Sequence, residues 1–302
     1  MIVVRIKGGL GNQMFEYAMA RKLQIDLKLD KIGFDLTVVD NDLRRSFSLY
    51  HFSLFNNIEI IEQKSRITLL QETIAKKIVS YFIAGRQEAI AGRREDFWGM
   101  IFGFFGIVQR DHSLIKKNFW LKFHRNIYMN GWFQDADRLL PIRDILLKDF
   151  QLCSPGLSDC EIYKKIISTN AVCVHIRKGD YVGNSIFDVC GDIYYYDAIN
   201  YVAQMVQNPV FYIFSDDIAE VKRTMNFDYP VVYVTGDHQD YEDLYLMKSC
   251  RHFIMSNSTY SWWAQFLGEA GDKVVVAPKK WCLMEDMNIG VYMKEWVLMD
   301  VR

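Results

Sequence analysis

Much that a chain of 302 residues could carry is scarce or missing here. Proline is limited to five residues and the charged fraction to 24%, which argues against a disordered chain. Neither sign of charge is in excess, 36 lysines and arginines standing against 37 acids, so the basic stripe of a nucleic-acid binder is absent. The six cysteines form no Cys-x-x-Cys pair and no histidine pair completes a zinc pattern, which removes a structural zinc site. Met1-Ile2-Val3-Val4 lacks the basic start of a secretory signal, so reduced thiols in a cytoplasmic protein are expected, with Cys173 buried in an apolar run. No apolar run reaches the roughly 20 residues needed to span a bilayer. The nearest, Phe97 to Val108 (FWGMIFGFFGIV), is broken by glycines. It reads as a buried loop or strand pair, with a surface that touches a membrane or a lipid-linked substrate as the alternative.

What is present is ample apolar material, 50% of the residues, arranged in alternation. Ile2–Ile6 is a β-branched strand, Lys7 to Gln13 a glycine-rich turn, and Phe15, Ala18, Met19, Leu23 and Leu27 recur at helical spacing. A strand follows near Ile32–Leu36. Ile58 to Ile83 reads as helix with Lys64, Arg66, Lys76 and Lys77 on the wet side, and 84–130 carries no clear period. The second half alternates strands at Ala171–Ile176, Val210–Phe214, Val231–Val234, Phe253–Met255 and Lys273–Ala277 with helices of crossover length. Strands joined by such helices form parallel, doubly wound sheets. The fold class is therefore α/β with two Rossmann-like units: a first domain over 1–150, a break at Cys153-Ser154-Pro155-Gly156 within a linker near 151–168, and a second domain over 169–280. Residues 281–302 are expected to pack back on the domains.

In such sheets ligands sit beyond the carboxyl ends of the strands. The first strand ends in Gly8-Gly9-Leu10-Gly11-Asn12-Gln13, where small residues let backbone N–H groups approach a phosphate, although a tight turn alone also needs glycine. Met14 stands where a dinucleotide fingerprint wants Gly or Ala, and no Gly-Lys-Ser/Thr loop occurs, so NAD and ATP are disfavoured. The strand Ala171–Ile176 runs into His175-Ile176-Arg177-Lys178-Gly179-Asp180-Tyr181. His175 and Arg177 share a face, and Arg177 can grip a diphosphate; the alternative is a surface ion pair. Of Asp216 and Asp217, one is expected to cap the next helix and the other to orient Arg177. Ser256-Asn257-Ser258-Thr259, opening a helix, offers a neutral anion cradle or a simple cap, and Trp262 and Trp263 read as helix packing.

GGLGNQMF, HIRKGDY, FSDD and DLYLMKSCRHFIMSNSTYSWW, in this order and spread over nearly the whole chain, resemble the α1,2-fucosyltransferases of glycosyltransferase family 11. Gly131-Trp132-Phe133-Gln134 resembles that family's GYFQ element. Lys178 replaces a second arginine, Trp132 a tyrosine, and Ala264-Gln265 interrupts the tryptophan motif. The resemblance implies two Rossmann-like domains facing a cleft, the GT-B arrangement, and inverting transfer of fucose from GDP-β-L-fucose without a metal or other cofactor. Carried over by motif, Arg177 holds the β-phosphate and Asp216 supports it. His175 and Asp243 lie by the nucleoside, with Asp243 accepting from guanine, while Ser258 and Thr259, with Asn257 in the same motif, bond phosphate. Asn12, in the loop with Gly9, Gly11 and Gln13, closes over the diphosphate from the acceptor side.

A single displacement at C1 of fucose also calls for a base on the acceptor hydroxyl. Asp180 ranks ahead of Glu16 for that role, each with a structural alternative: pairing with Arg177 or Lys178, and capping its own helix. Asp135-Ala136-Asp137 matches the DxD of metal-dependent transferases but stands where a helix begins, so capping is the expected use. The expected product is an α1,2-fucosylated galactoside of a surface polysaccharide or O-antigen. The acceptor would be galactose-terminated and carried on a lipid, with peripheral contact at the inner membrane. The rivals are a fucosyltransferase of different linkage, a non-catalytic nucleotide-sugar or glycan sensor, and a nicotinamide dehydrogenase.

Overall fold

The structure is a computed structural model describing all residues except 55–57, 85–100, 110–118, 155, 237, 285–289 and 302; side chains at 78–84, 119, 158 and 159 are also left aside. The chain divides into two compact units, Met1–Cys153 and Ser154–Arg302.

The first unit contains β1 (Ile2–Arg5), α1 (Leu10–Leu27), β2 (Ile32–Asp35), β3 (Ile58–Ile60), α2 (Arg66–Ala84), β4 (Ile107–Gln109), β5 (Ile127–Asn130), α3 (Ala136–Leu139) and α4 (Arg143–Asp149). Its parallel sheet runs β3-β2-β1-β5-β4. Strands covered on both faces need apolar side chains on both, and Ile2, Val3, Val4, Ile127, Tyr128 and Met129 are all at most 2% exposed. Ile58–Ile60, read above as helix, forms an edge strand because it pairs in register with Ile32–Phe34. Among the described residues of the Phe97–Val108 run, 101–104 are helical and Ile107 and Val108 enter β4; residues 97–100 lie outside the described residues.

Register places Arg5 beside Asp35 at the carboxyl ends of β1 and β2. Around them lies a buried ionic network: Lys64 Nζ is 2.7 Å from both Asp35 and Glu72, Arg5 reaches Glu72 at 3.0 Å, and Lys76 reaches it at 2.8 Å. Lys64, expected on a wet helix face, instead precedes α2 and is drawn inward because Asp35 is fully buried and needs a cation.

The second unit contains α5 (Glu161–Ile167), β6 (Asn170–Ile176), α6 (Asp192–Met205), β7 (Pro209–Ser215), α7 (Ile218–Thr224), β8 (Val231–Tyr233), α8 (Asp240–Lys248), β9 (His252–Ile254), α9 (Thr259–Leu267), β10 (Val275–Pro278) and β11 (Val297–Met299). The parallel order β11-β10-β9-β6-β7-β8 is the 3-2-1-4-5-6 winding of a nucleotide-binding sheet, counted from β6. The stretch to 168, read as linker, carries α5 instead: Ile166 is buried and Tyr163 stacks on Tyr245 at 5.5 Å, so it belongs to this unit. The tail forms the edge strand β11 against β10. Trp262 and Trp263 are buried in α9 packing, Trp262 stacking on Phe266 at 4.7 Å and donating to Val291 O at 2.8 Å.

Burial raises the Glu72 carboxyl, but hydrogen bonds from Lys64 and Lys76 and the charges of Lys64 and Arg5 outweigh it, leaving the pKa at about 2 against 4.5. The folded value is the lower one, so this stabilisation is complete above about pH 5 and disappears as pH falls from 4.5 toward 2, a loss approaching about 3 kcal/mol. Urea unfolding should show Glu72→Gln less stable than wild type at neutral pH, with the gap narrowing near pH 3. A gap that ignores pH would remove the network from the acid response.

Candidate active site

In the second unit the winding reverses between β6 and β9, and the crevice at such a point receives the ligand. The chain leaving β6 is His175-Ile176-Arg177-Lys178-Gly179-Asp180; the chain leaving β9 is Met255-Ser256-Asn257-Ser258-Thr259. The two segments meet where Ser256 Oγ lies 3.1 Å from His175 Nδ1. His175 is 3% exposed, and burial, then the Arg177 charge, drops its pKa to about 3. It is therefore neutral at physiological pH, offering shape and one hydrogen bond but no charge.

Arg177 is held on two sides. Asp216, at the end of β7, lies 3.2 Å from Nε in an ion pair rather than an aligned hydrogen bond, and Asp180 pairs with a terminal nitrogen. The guanidinium also lies 4.6 Å from the centre of the Tyr181 ring. Asp216 Oδ1 accepts from the backbone N–H groups of Lys178 and Gly179 at 2.8 and 3.1 Å. A Cβ on Gly179 would lie 2.6 Å from Asp216 Oδ2, so only glycine lets the turn close over this carboxylate. Asp217 caps α7, accepting from Glu220 N at 2.9 Å. Lys178 pairs with Asp192.

The four-residue cradle before α9 is more divided than its sequence suggests. Ser256 serves His175. Asn257 is 2% exposed and gives both amide hydrogens to backbone carbonyls, Phe187 O and Trp281 O, each at 3.0 Å. That corrects its reading as a phosphate ligand: burial fixes it as a tie between loops. Ser258 caps α9 by accepting from Tyr260 N at 3.2 Å, and a hydroxyl that accepts still has its proton to give an anion. Thr259 opens the helix at partial exposure. Asp243, in the first turn of α8, lies 3.0 Å from His238 Nδ1; burial raises its pKa against the opposing pull of His238. Tyr260 joins this region to the rest, its ring 5.7 Å from that of His175 and its hydroxyl donating to Asp240 O.

The first unit reverses its winding between β1 and β5. Gly8 has φ +72°, and a Cβ there would meet Asn12 Nδ2 at 2.9 Å and Trp132 Cζ3 at 3.1 Å. Gln134 Nε2 donates to Asn12 Oδ1 at 3.2 Å, Lys7 Nζ to Asn130 Oδ1 at 3.3 Å, and the same ammonium lies 4.2 Å from the Trp132 ring centre. Gly9 is the N-cap of α1 and Gly11 lies buried within it. Gln13 is fully buried, donating to Gly8 O and Ser46 O and accepting from Ser48 N, so it staples the loop rather than facing a ligand. Glu16 is also fully buried and accepts from Lys7 N at 3.0 Å. It neither caps its own helix nor reaches solvent as a base would. Asp135 caps α3 and pairs with Arg138 at 3.0 Å, which accounts for the first acid of the DxD. Among the described residues no group of three or more potential ligands gathers as a metal site.

Sequence reading missed Gly179 as the residue that admits Asp216, and His238 as the partner of Asp243. Gly179 was visible as a glycine between charged residues; nothing marked His238. An open depression of about 450 Å³ lined by Thr169, Asn170, Asn208 and Arg251 lies at the amino ends of the strands, away from this chemistry.

The sequence profile of glycosyl transferase family 11 matches residues 1–300. The chain belongs to glycosyltransferase family 11. It is 31% identical over 300 residues to the O-antigen biosynthesis glycosyltransferase WbnK of Escherichia coli, with 91% of this chain and 93% of that one covered. It is 28% identical to an α1,2-colitosyltransferase of Escherichia coli, over 95% and 94% of the two chains. The solved structure of POFUT1 in complex with GDP superposes with a TM-score of 0.50 at 13% identity, covering 91% of this chain and 98% of that one, which shows the shared fold of two Rossmann-like units. The protein is thus a glycosyltransferase of GT-B fold.

Replacing the Asn257 amide by a carboxylate would face two carbonyl oxygens with a third acceptor, at a cost of about 2–3 kcal/mol. Asn257→Asp should lower the thermal midpoint by several degrees. Unchanged stability would mean that the two carbonyl bonds are not what Asn257 is for.

Proposed function

We propose that this family 11 enzyme is an inverting, metal-independent α1,2-fucosyltransferase. It transfers L-fucose from GDP-β-L-fucose to the 2-hydroxyl of a terminal galactoside, in a surface glycan assembled on a lipid at the cytoplasmic face of the inner membrane. The observation that carries the reading is Arg177, largely buried and held by Asp216 on the loop that leaves β6, the strand at which the second sheet reverses toward β9, whose own following loop opens α9. A fixed guanidinium, the amino end of a helix and the Ser258 hydroxyl can together absorb the charge that builds on a departing diphosphate. His175 and Asp243 lie toward the nucleoside, Asp243 as the acceptor for guanine N–H groups.

Asp180 has a double part in this scheme. In the free enzyme it pairs with Arg177 while its own side chain stays about half exposed, at 47%. An arriving phosphate competes for the same guanidinium and releases the carboxylate, which then takes the proton of the acceptor hydroxyl as C1 is attacked through an oxocarbenium-like state. The colitosyltransferase relative favours a second reading of the donor, since colitose lacks the 3-hydroxyl of fucose. A site that hydrogen-bonds that hydroxyl rejects the deoxy sugar strongly, whereas an apolar contact there does not.

GDP release with lactose, measured with GDP-fucose and with GDP-colitose, in EDTA and then with Mn²⁺, tests both readings. EDTA-resistant, acceptor-dependent turnover of GDP-fucose supports the first, a preference for GDP-colitose the second, and a requirement for Mn²⁺ overturns the phosphate site described. NMR of the product fixes the linkage. Arg177→Ala should lower kcat by about 10²–10³ with the circular dichroism spectrum unchanged. Asp180→Asn should lower kcat by about 10²-fold or more while GDP binding holds or tightens; unchanged kcat would leave Asp180 only a counter-ion.

A further inference from the structure

The first unit presents a cluster of exposed aromatic rings that none of the chemistry above uses. Phe104 and Phe105 are 56% and 40% exposed, Trp120 and Phe123 40% and 63%. The rings touch in sequence, Phe105 to Phe104 at 5.3 Å, Phe104 to Trp120 at 5.6 Å and Trp120 to Phe123 at 6.3 Å between centroids, so they form one continuous surface. Scattered exposed apolar residues are ordinary, but four contiguous aromatic rings are not.

The surface is built, not accidental. Gln71, 4% exposed on α2, sends its amide to Phe105 O and Gly106 O at 3.1 Å and to Asn126 O at 3.0 Å. One side chain therefore clamps the turn bearing Phe104 and Phe105 to the segment that follows Trp120 and Phe123. Gly106 makes the turn at φ +68°, and a Cβ there would meet Gln71 Nε2 at 2.8 Å and the His124 ring at 2.9 Å. Buried hydrogen bonds and a required glycine thus hold outward a group of side chains that hydrophobicity alone would turn inward.

Among the described residues of the two segments that carry the rings, the charge is of one sign. Lys122 and Arg125 are exposed, Lys122 Nζ lying 5.2 Å from the Phe123 ring centre, and neither 101–109 nor 119–130 contains an aspartate or glutamate. Aromatic rings flanked by cations fit the boundary of an anionic bilayer, where rings enter the headgroup layer and cations meet phosphate. A two-fold contact between copies of this chain would instead bring the Lys122 and Arg125 of both copies into one interface to which these segments contribute no acid. Among the described residues no helix is long and apolar enough to cross the membrane, so the contact would be peripheral.

We propose that the Phe104–Phe105–Trp120–Phe123 surface is a docking site for an anionic phospholipid membrane. The test is flotation of the full chain with phosphatidylcholine vesicles and with phosphatidylcholine–phosphatidylglycerol vesicles, beside sizing in solution. Wild type should float with the anionic vesicles, remain behind with the neutral ones and lose binding as salt rises. Trp120→Ser/Phe123→Ser should cut the bound fraction by about fivefold or more, and Lys122→Glu/Arg125→Glu should do the same, with unchanged circular dichroism spectra. Absence of flotation, flotation indifferent to these substitutions, or a wild-type dimer that the aromatic double variant converts to monomer would each overturn the assignment.

Discussion

The second unit depends on one carboxylate that cannot be moved. Asp216 immediately follows β7, yet its oxygens organise the turn that leaves β6: one receives two backbone N–H groups and the other faces Arg177. Two adjacent strands are thereby locked at their carboxyl ends, where the sheet itself no longer supplies hydrogen bonds. The turn can follow that carboxylate so closely only because Gly179 has no side chain. Arginine on a long flexible stem would otherwise lose much rotamer freedom on meeting an anion; here that loss is largely met in advance.

The two units share a parallel winding but use their strand ends differently. In the second, ions face the reversal point: Arg177 with Asp216 and Asp180. In the first, the ions Arg5, Asp35, Lys64 and Glu72 are gathered around the ends of β1 and β2, while the reversal between β1 and β5 is lined largely by amides, Asn12, Asn130 and Gln134, with Lys7 against Trp132. A guanidinium suits a diphosphate. Amides beside an indole suit the hydroxyls and apolar faces of a neutral sugar. The strand ends of the two units thus differ in charge, ionic in the second and largely neutral at the β1–β5 reversal of the first.

The strands β6 to β10 of the second unit were legible because they are apolar runs between turn residues, β11 was not, and Arg177 stood out as a candidate because it follows such a run. The short strands Ile107–Gln109 and Ile127–Asn130 were not: three or four residues carry no period, and only pairing with each other and with β1 makes them strands. The same holds for Ile58–Ile60. Glu16, Gln13 and Asn257 were misread for a common reason. Polar residues beside a glycine-rich turn or a helix start look like ligands in sequence, but each is buried with backbone groups among its partners: Glu16 Oε2 accepts from Lys7 N, Gln13 Nε2 donates to Gly8 O and Asn257 Nδ2 to Phe187 O. No local pattern distinguishes a carboxylate that meets a substrate from one that meets the Lys7 amide.

The edge strand Val297–Met299 and the bonds from Asn257 to Trp281 and from Trp262 to Val291 have a bearing on how the protein is made. All internal contacts of the first unit lie before Ser154, so it can fold while synthesis continues. The second cannot complete its sheet or satisfy Asn257 and Trp262 until Trp281, Val291 and Val297–Met299 have been translated. On the ribosome, the first unit is therefore complete while the sheet of the second still lacks its β11 edge.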